Sequence, residues 1–113
     1  MEQDKINNLP EQILIDGDWE TREVHIDGKF LRPDQSQKLK NHSPDGFNWG
    51  YGGSGPAQLS LAILLKYMHP EYALALYQDF KFRFVANIPQ EDFEINVNLR
   101  SIISEICSAR TTV

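Results

Sequence analysis

The sequence predicts an α+β domain in which a small, mostly antiparallel sheet packs against about three helices. Short β-prone runs and turn residues precede residue 56, whereas long apolar stretches with helical spacing follow it. The chain has 113 residues, of which 41% are hydrophobic, which is enough for one core but not for two domains. We therefore expect a flexible N-terminal tail over residues 1–10 and a single domain over residues 11–113.

Composition and charge exclude several classes of protein. The net charge of −5 argues against binding to the phosphate backbone of duplex nucleic acid. No apolar run approaches the roughly 18 residues of a membrane span, and the polar residues 1–10 lack the apolar core of a secretory signal. The lone Cys107 cannot form a disulfide within the chain and is compatible with a reducing compartment. We expect a cytoplasmic protein without a membrane segment.

The first elements of the predicted sheet lie between residues 13 and 31. The apolar run Ile13–Ile15 is typical of a short edge strand. Within Val24–Leu31, the pair Asp27-Gly28 separates two β-prone runs, and such a pair accepts the positive φ angles of a two-residue type I′ turn. This segment therefore predicts a β-hairpin. The polar residues 32–40 show no periodicity and are expected to form a loop.

An aromatic segment follows and predicts a further strand. Phe47, Trp49 and Tyr51 alternate with Asn48 and Gly50. Because successive side chains of a strand point to opposite faces, the three aromatic rings would share one face. The expected sheet thus consists of the N-terminal hairpin together with this aromatic strand.

The second half of the chain predicts helices. Residues 56–68 are apolar nearly all round, which indicates a buried helix, and Pro56 suits its first turn because proline has no amide hydrogen to leave unpaired. The next helix is expected from about Glu71 to Val85, where apolar residues recur every three or four positions.

The C-terminal region predicts one more strand and one more helix. Phe93–Ile95 is a short β-prone run. From Leu99 to Cys107, apolar residues follow amphipathic helical spacing, and Asn96 or Asn98 precedes them as a candidate cap.

Residues 41–59 differ from the rest of the chain and contain five of its seven glycines. They read Asn-His-Ser-Pro-Asp-Gly-Phe-Asn-Trp-Gly-Tyr-Gly-Gly-Ser-Gly-Pro-Ala-Gln-Leu. This segment resembles the signature of a small family classed as a domain of unknown function, scattered through microbial and phage genomes. The resemblance continues more weakly over about the last two thirds of the chain. It implies no activity, because the family has none assigned.

Known catalytic and cofactor motifs do not fit this segment. Gly50-x-Gly52-x-x-Gly55 has the spacing of a dinucleotide fingerprint but lacks the buried parallel strand before it and the acidic residue about twenty positions later. Pro56 follows Gly55, which excludes a phosphate-binding P-loop, and it also occupies the glycine position that a nucleophile at Ser54 would need. The three histidines lack metal-ligand spacing. We expect no cofactor and no metal.

The segment remains compatible with a more general kind of site, one that binds an anion. Successive glycines can direct several amides into one concavity, and the positive end of the following helix adds to them. The candidate ligand-binding residues are His42, Trp49, Tyr51, Gly52, Gly53, Ser54 and Gly55.

A purely structural role for the same residues is the alternative. In that interpretation the glycines allow a tight connection, Ser54 caps the helix, Trp49 and Tyr51 belong to the core, and His42 bonds a turn carbonyl.

Three hypotheses about function follow. The first is a non-enzymatic binding or regulatory module that contacts another protein. The second is a binder of a phosphorylated or nucleotide-like ligand at the glycine-rich connection. The third is an enzyme that acts through His42 or Ser54, although no carboxylate pair or triad supports it.

Overall fold

A computed structural model describes residues 1–111, with side chains for residues 1–110. It confirms an α+β fold with a small antiparallel sheet. Within residues 1–111, four strands form one sheet and the chain also forms five α-helices. In chain order the elements are α1 (Gln3–Asn7), β1 (Ile13–Gly17), β2 (Val24–Ile26), β3 (Lys29–Phe30), α2 (Asp34–Leu39), α3 (Ser54–Tyr67), α4 (Pro70–Arg83), a 3₁₀ turn (Val85–Asn87), β4 (Phe93–Val97) and α5 (Leu99–Thr111).

Strand β1 lies inside the sheet, whose strand order is β3-β2-β1-β4. The prediction of an edge strand at Ile13–Ile15 is therefore wrong, since β1 pairs with β2 on one side and with β4 on the other. Ile13 and Ile15 are buried on the face that packs against the helices, whereas Leu14 and Asp16 lie on the open face.

The predicted hairpin between β2 and β3 is confirmed. Asp27 has φ 51° and Gly28 has φ 80°, the two left-handed conformations that a type I′ turn requires. Asp27 also ties the turn to β1, because its Oδ1 accepts a 2.9 Å hydrogen bond from the Leu14 amide.

The predicted aromatic strand is absent from the described residues, and β4 is the fourth strand instead. Gly50 has φ 85°, which turns the chain away from an extended path, and its amide donates to the Val85 carbonyl rather than to a strand. Phe47 and Trp49 are buried, but Tyr51 is 43% exposed. The three aromatic rings therefore do not share one face.

The three predicted helices are confirmed as α3, α4 and α5. Helix α3 begins at Ser54, two residues before Pro56, and its residues 55–64 are all buried. The side chain of Asn98 precedes α5 and accepts a 3.0 Å hydrogen bond from the Ser101 amide, as expected of a cap.

Two short helices arise where none was predicted. The prediction of a loop over residues 32–40 is wrong, because these residues contain α2. This helix is mostly polar, and Gln58 Nε2 of α3 donates a 2.9 Å hydrogen bond to its Ser36 Oγ. Within residues 1–10, α1 buries Ile6, and Leu9 is buried beside it. None of the helices within residues 1–111 has the length and apolar character needed to cross a membrane.

Candidate functional site

The side chain of Gln58 organises the start of the glycine-rich connection. It lies on α3 and is completely buried. Its Oε1 accepts from the amides of His42 (2.8 Å) and Ser43 (3.1 Å). Its Nε2 donates to Ser36 Oγ at 2.9 Å and to the Lys40 carbonyl at 3.2 Å. All four hydrogen-bonding positions of the amide are thus used, which fastens α2 and residues 40–43 to α3.

Asn48 and Gly55 bring the connection close to the start of α3. A Cβ at Gly55 would lie 2.4 Å from Asn48 Cβ and 3.1 Å from the Asn48 amide nitrogen, so only glycine fits there. The Asn48 side chain accepts from its neighbour Trp49 at 2.9 Å and from Arg22 Nε at 3.2 Å. Glycine is required at position 55 because the Asn48 backbone lies so close to it, and not because of a positive φ.

A buried cation supports the middle of the connection. Lys81 on α4 is only 6% exposed, and its Nζ donates to the Gly52 carbonyl at 3.0 Å. The same ammonium lies 4.2 Å from the ring centroid of Phe82, a cation–π distance. Gln90 Nε2 fixes the preceding turn by donating to the Gly50 carbonyl at 3.1 Å. Side chains from two distant segments therefore define the path of the loop.

Two exposed aromatic rings flank this fixed backbone. Phe82 is 59% exposed and Tyr51 is 43% exposed. A Cβ at Gly52 would meet the Phe82 ring at 3.2 Å, and one at Gly53 would meet the Tyr51 ring at 2.4 Å. Each ring thus covers a glycine. We call Tyr51, Gly52, Gly53 and Phe82 the aromatic platform.

His42 does not face the platform as a free acid or base. Its Nε2 lies 2.7 Å from the hydroxyl oxygen of Tyr77, and the rings are in contact. Burial lowers the pKa of His42 below its usual 6.5, and the cations of Lys40 and Lys81 lower that pKa further. The imidazole is therefore mainly neutral at pH 7 and offers no fixed positive charge to an anion.

Trp49 lies in the core, out of reach of a ligand. Its side chain is fully buried, it makes edge-to-face contacts with Trp19 and Phe93, and its Nε1 donates to the Glu91 carbonyl at 3.1 Å. Ser54 is the first residue of α3, and the capping position belongs to Gly53.

The seven candidate ligand-binding residues therefore separate into three places. Trp49 is in the core, and His42 contacts Tyr77 of α4. The other five lie at one cavity at the start of α3: Tyr51, Ser54 and Gly55 line it, and Gly52 and Gly53 are beside it. The cavity has a volume of about 450 Å³. Its charged lining residues are Glu20, Arg22 and Asp45.

The model of a family of unknown function, DUF6166, matches residues 16–106. The chain belongs to the DUF6166 family. This agrees with the resemblance to a domain of unknown function described above. Neither the curated proteins nor the solved structures contain a match to this sequence.

Several residues that shape this site in the DUF6166 chain were not among the candidates. Gln58 interrupts a helix that is apolar nearly all round, and Lys81 stands between Phe80 and Phe82; these were the available signals for the two residues. Phe82 lies outside the apolar stripe of α4 that has helical spacing, and that position was the available signal for an exposed ring. Among the described residues, no group of three or more His, Cys, Asp or Glu side chains is placed to hold a metal ion.

Proposed function

We propose that the chain is a non-enzymatic, cytoplasmic binding module that contacts a partner protein through the aromatic platform. The observation that carries this proposal is the exposure of Tyr51 and Phe82 on either side of a glycine backbone that other side chains hold in place. The free thiol Cys107 fits a reducing cytoplasm.

Exposed aromatic residues are the typical anchors of protein–protein interfaces. They supply large contact areas, and a few of them usually account for most of the binding free energy. At the platform, Gly52 and Gly53 let the two rings lie directly against the main chain, because a Cβ at either position would meet a ring atom.

The rigidity of the platform supports the same proposal. Lys81 holds the Gly52 carbonyl and Gln90 holds the Gly50 carbonyl, so the loop is already ordered before a partner arrives. Ordering a loop on binding costs free energy, and a loop that is already ordered avoids this cost. The contacts of His42 and Lys81 position the loop and do not form a nucleophile–base pair, which favours binding over catalysis.

Photo-crosslinking in the living cell tests the proposal. A benzoylphenylalanine at position 51 or 82 should yield the same discrete adduct with a second protein. The matched control is position 30, because Phe30 is 49% exposed but lies on the sheet. We also expect Tyr51→Ala to weaken the adduct from position 82 about tenfold or more, without loss of thermal stability.

Two results would contradict the partner-protein proposal. One is adduct formation at positions 51 and 82 no greater than at position 30. The other is an adduct whose mass equals two copies of this chain, which would make the platform a self-contact.

A phosphorylated or nucleotide-like ligand is the second candidate. Arg22 lines the 450 Å³ cavity together with Ser54 and Gly55, the first two residues of α3. A cation and the N-terminus of a helix both favour an anion. Glu20 and Asp45 line it too and oppose an anion, which is why the platform is favoured.

Thermal-shift measurements with nucleotides and phosphorylated metabolites test this second candidate. At a hundredfold excess over Kd, a ligand should stabilise the fold by about 2.7 kcal/mol. The shift should disappear in Arg22→Gln and persist in the matched surface variant Arg32→Gln. Absence of a shift across the panel would exclude these ligands.

A further inference from the structure

In this sheet, alternate residues of each strand direct their backbone N–H and C=O groups to opposite neighbours. This alternation determines which backbone groups are left free at the edges of the sheet. The Asp27 amide donates to the Leu14 carbonyl, and the Asp18 amide donates to the Glu23 carbonyl. In an antiparallel pair, hydrogen-bonded positions alternate. The even residues of β1 therefore direct their N–H and C=O groups to β2, and its odd residues direct theirs to β4.

The same alternation of backbone direction applies to β4. The odd residues of β1 pair with Phe93, Ile95 and Val97, so these three residues direct their backbone groups to β1. Glu94 and Asn96 consequently direct two N–H and two C=O groups away from the sheet. Within residues 1–111, no backbone or side-chain group pairs with these four outward groups. Both residues are exposed.

The two edges of the sheet differ in their protection. Strand β3 has only two residues and includes Lys29, and short strands and lysines are common devices against edge pairing. Strand β4 has five residues with no proline and no lysine, and its pairing with β1 is continuous and without a bulge. An edge of this kind is a template for another strand.

We propose that the β4 edge binds the β4 edge of a second copy of this chain, antiparallel about Ile95. The two four-stranded sheets then form one continuous sheet. In this register Glu94 of each copy pairs with Asn96 of the other, and the outward groups form four hydrogen bonds across the two-fold axis.

Charge favours this register over its neighbours. The proposed register sets the Glu94 carboxylate opposite an Asn96 side-chain amide, which can donate to it. A register centred on Glu94 sets two carboxylates directly opposite each other, which is destabilising. A register centred on Asn96 requires Asn98 to join the strand, but Asn98 caps α5. A shift of one residue would exchange the two faces of the sheet.

Sedimentation analysis of the full chain tests the proposal. We expect a species of twice the 13.0 kDa protomer mass that dissociates on dilution. Asn96→Pro removes one outward N–H without touching the β1 ladder and should give a folded monomer. The matched control is Phe30→Pro, because the Phe30 amide points away from β2 at the other edge, and this variant should remain a dimer.

A charge exchange separates loss of pairing from loss of folding. Asn96→Glu should be monomeric, because it sets the carboxylates of residues 94 and 96 opposite each other. The double variant Glu94→Lys with Asn96→Lys should also be monomeric, because it sets two ammonium groups opposite each other. An equimolar mixture of these two variants should form a heterodimer, because each carboxylate of one variant then lies opposite an ammonium group of the other. A wild-type monomer at all concentrations, a dimer that survives Asn96→Pro, or a mixture that stays monomeric would overturn the proposal.

Discussion

Gln58→Met is expected to lower the free energy of unfolding by about 3 kcal/mol or more. The substitution preserves side-chain length in a fully buried position but removes one acceptor atom and one donor atom. The amides of His42 and Ser43 and the carbonyl of Lys40 would then lose their partner. A buried polar group left unpaired costs roughly 1–3 kcal/mol, so several together account for the expected loss.

Urea unfolding monitored by circular dichroism measures this effect. The matched control is Gln35→Met, because Gln35 is exposed on α2 and exposed substitutions usually change stability by less than about 0.5 kcal/mol. A Gln58→Met protein within 1 kcal/mol of wild type would show that residues 40–43 are fastened to α3 by other contacts.

Local signals in the sequence were sufficient for much of the fold. The Asp27-Gly28 turn depends on two adjacent residues, and their positive φ angles are confirmed. The apolar run after Pro56 and the spacing from Leu99 to Cys107 likewise each lie within one helix. These elements were predictable because each of their determining residues lies within the element itself.

Elements that depend on distant partners were not predictable. β1 is internal because Ile13 pairs with Val97, at the other end of the chain. Helix α2 is polar, and it is fixed by the hydrogen bond from Gln58 to Ser36, which is 22 residues earlier. No local pattern contains these contacts.

The aromatic segment shows how an alternating pattern can mislead. Phe47, Trp49 and Tyr51 satisfy the period of a strand, but Gly50 turns the backbone after Trp49. Phe47 and Trp49 are therefore buried, whereas Tyr51 is exposed. For the candidate site, the sequence singled out residues 41–59 by their glycine content. It did not separate the residues that hold the loop, such as Asn48 and Gln58, from those left exposed on it.

This separation gives the signature segment two roles. Gln58, Asn48 and Gly55 fasten the connection to the core through contacts within the chain. Tyr51 is exposed and, together with Phe82, remains available to a partner. Substitutions at the first group should therefore act on stability, whereas substitutions at Tyr51 and Phe82 should act on binding.

Trp49→Ala is expected to destabilise the fold by about 3–5 kcal/mol, the range for deletion of a large buried aromatic side chain. The indole is fully buried between Trp19, at a ring-centroid distance of 5.5 Å, and Phe93, at 4.9 Å. It also packs beside Gly17, where a Cβ would lie 2.9 Å from the Trp49 ring. Its removal would leave a cavity and an unpaired Glu91 carbonyl.

Denaturant unfolding of Trp49→Ala and Trp49→Phe, with Phe82→Ala as the exposed aromatic control, distinguishes the two interpretations of Trp49. A core role predicts a large loss for alanine, a smaller loss for phenylalanine and almost none for Phe82→Ala, which is 59% exposed. A Trp49→Ala protein that keeps wild-type stability but loses a ligand would instead support Trp49 as a stacking face. Because the ring has no exposed surface, we expect the stability loss.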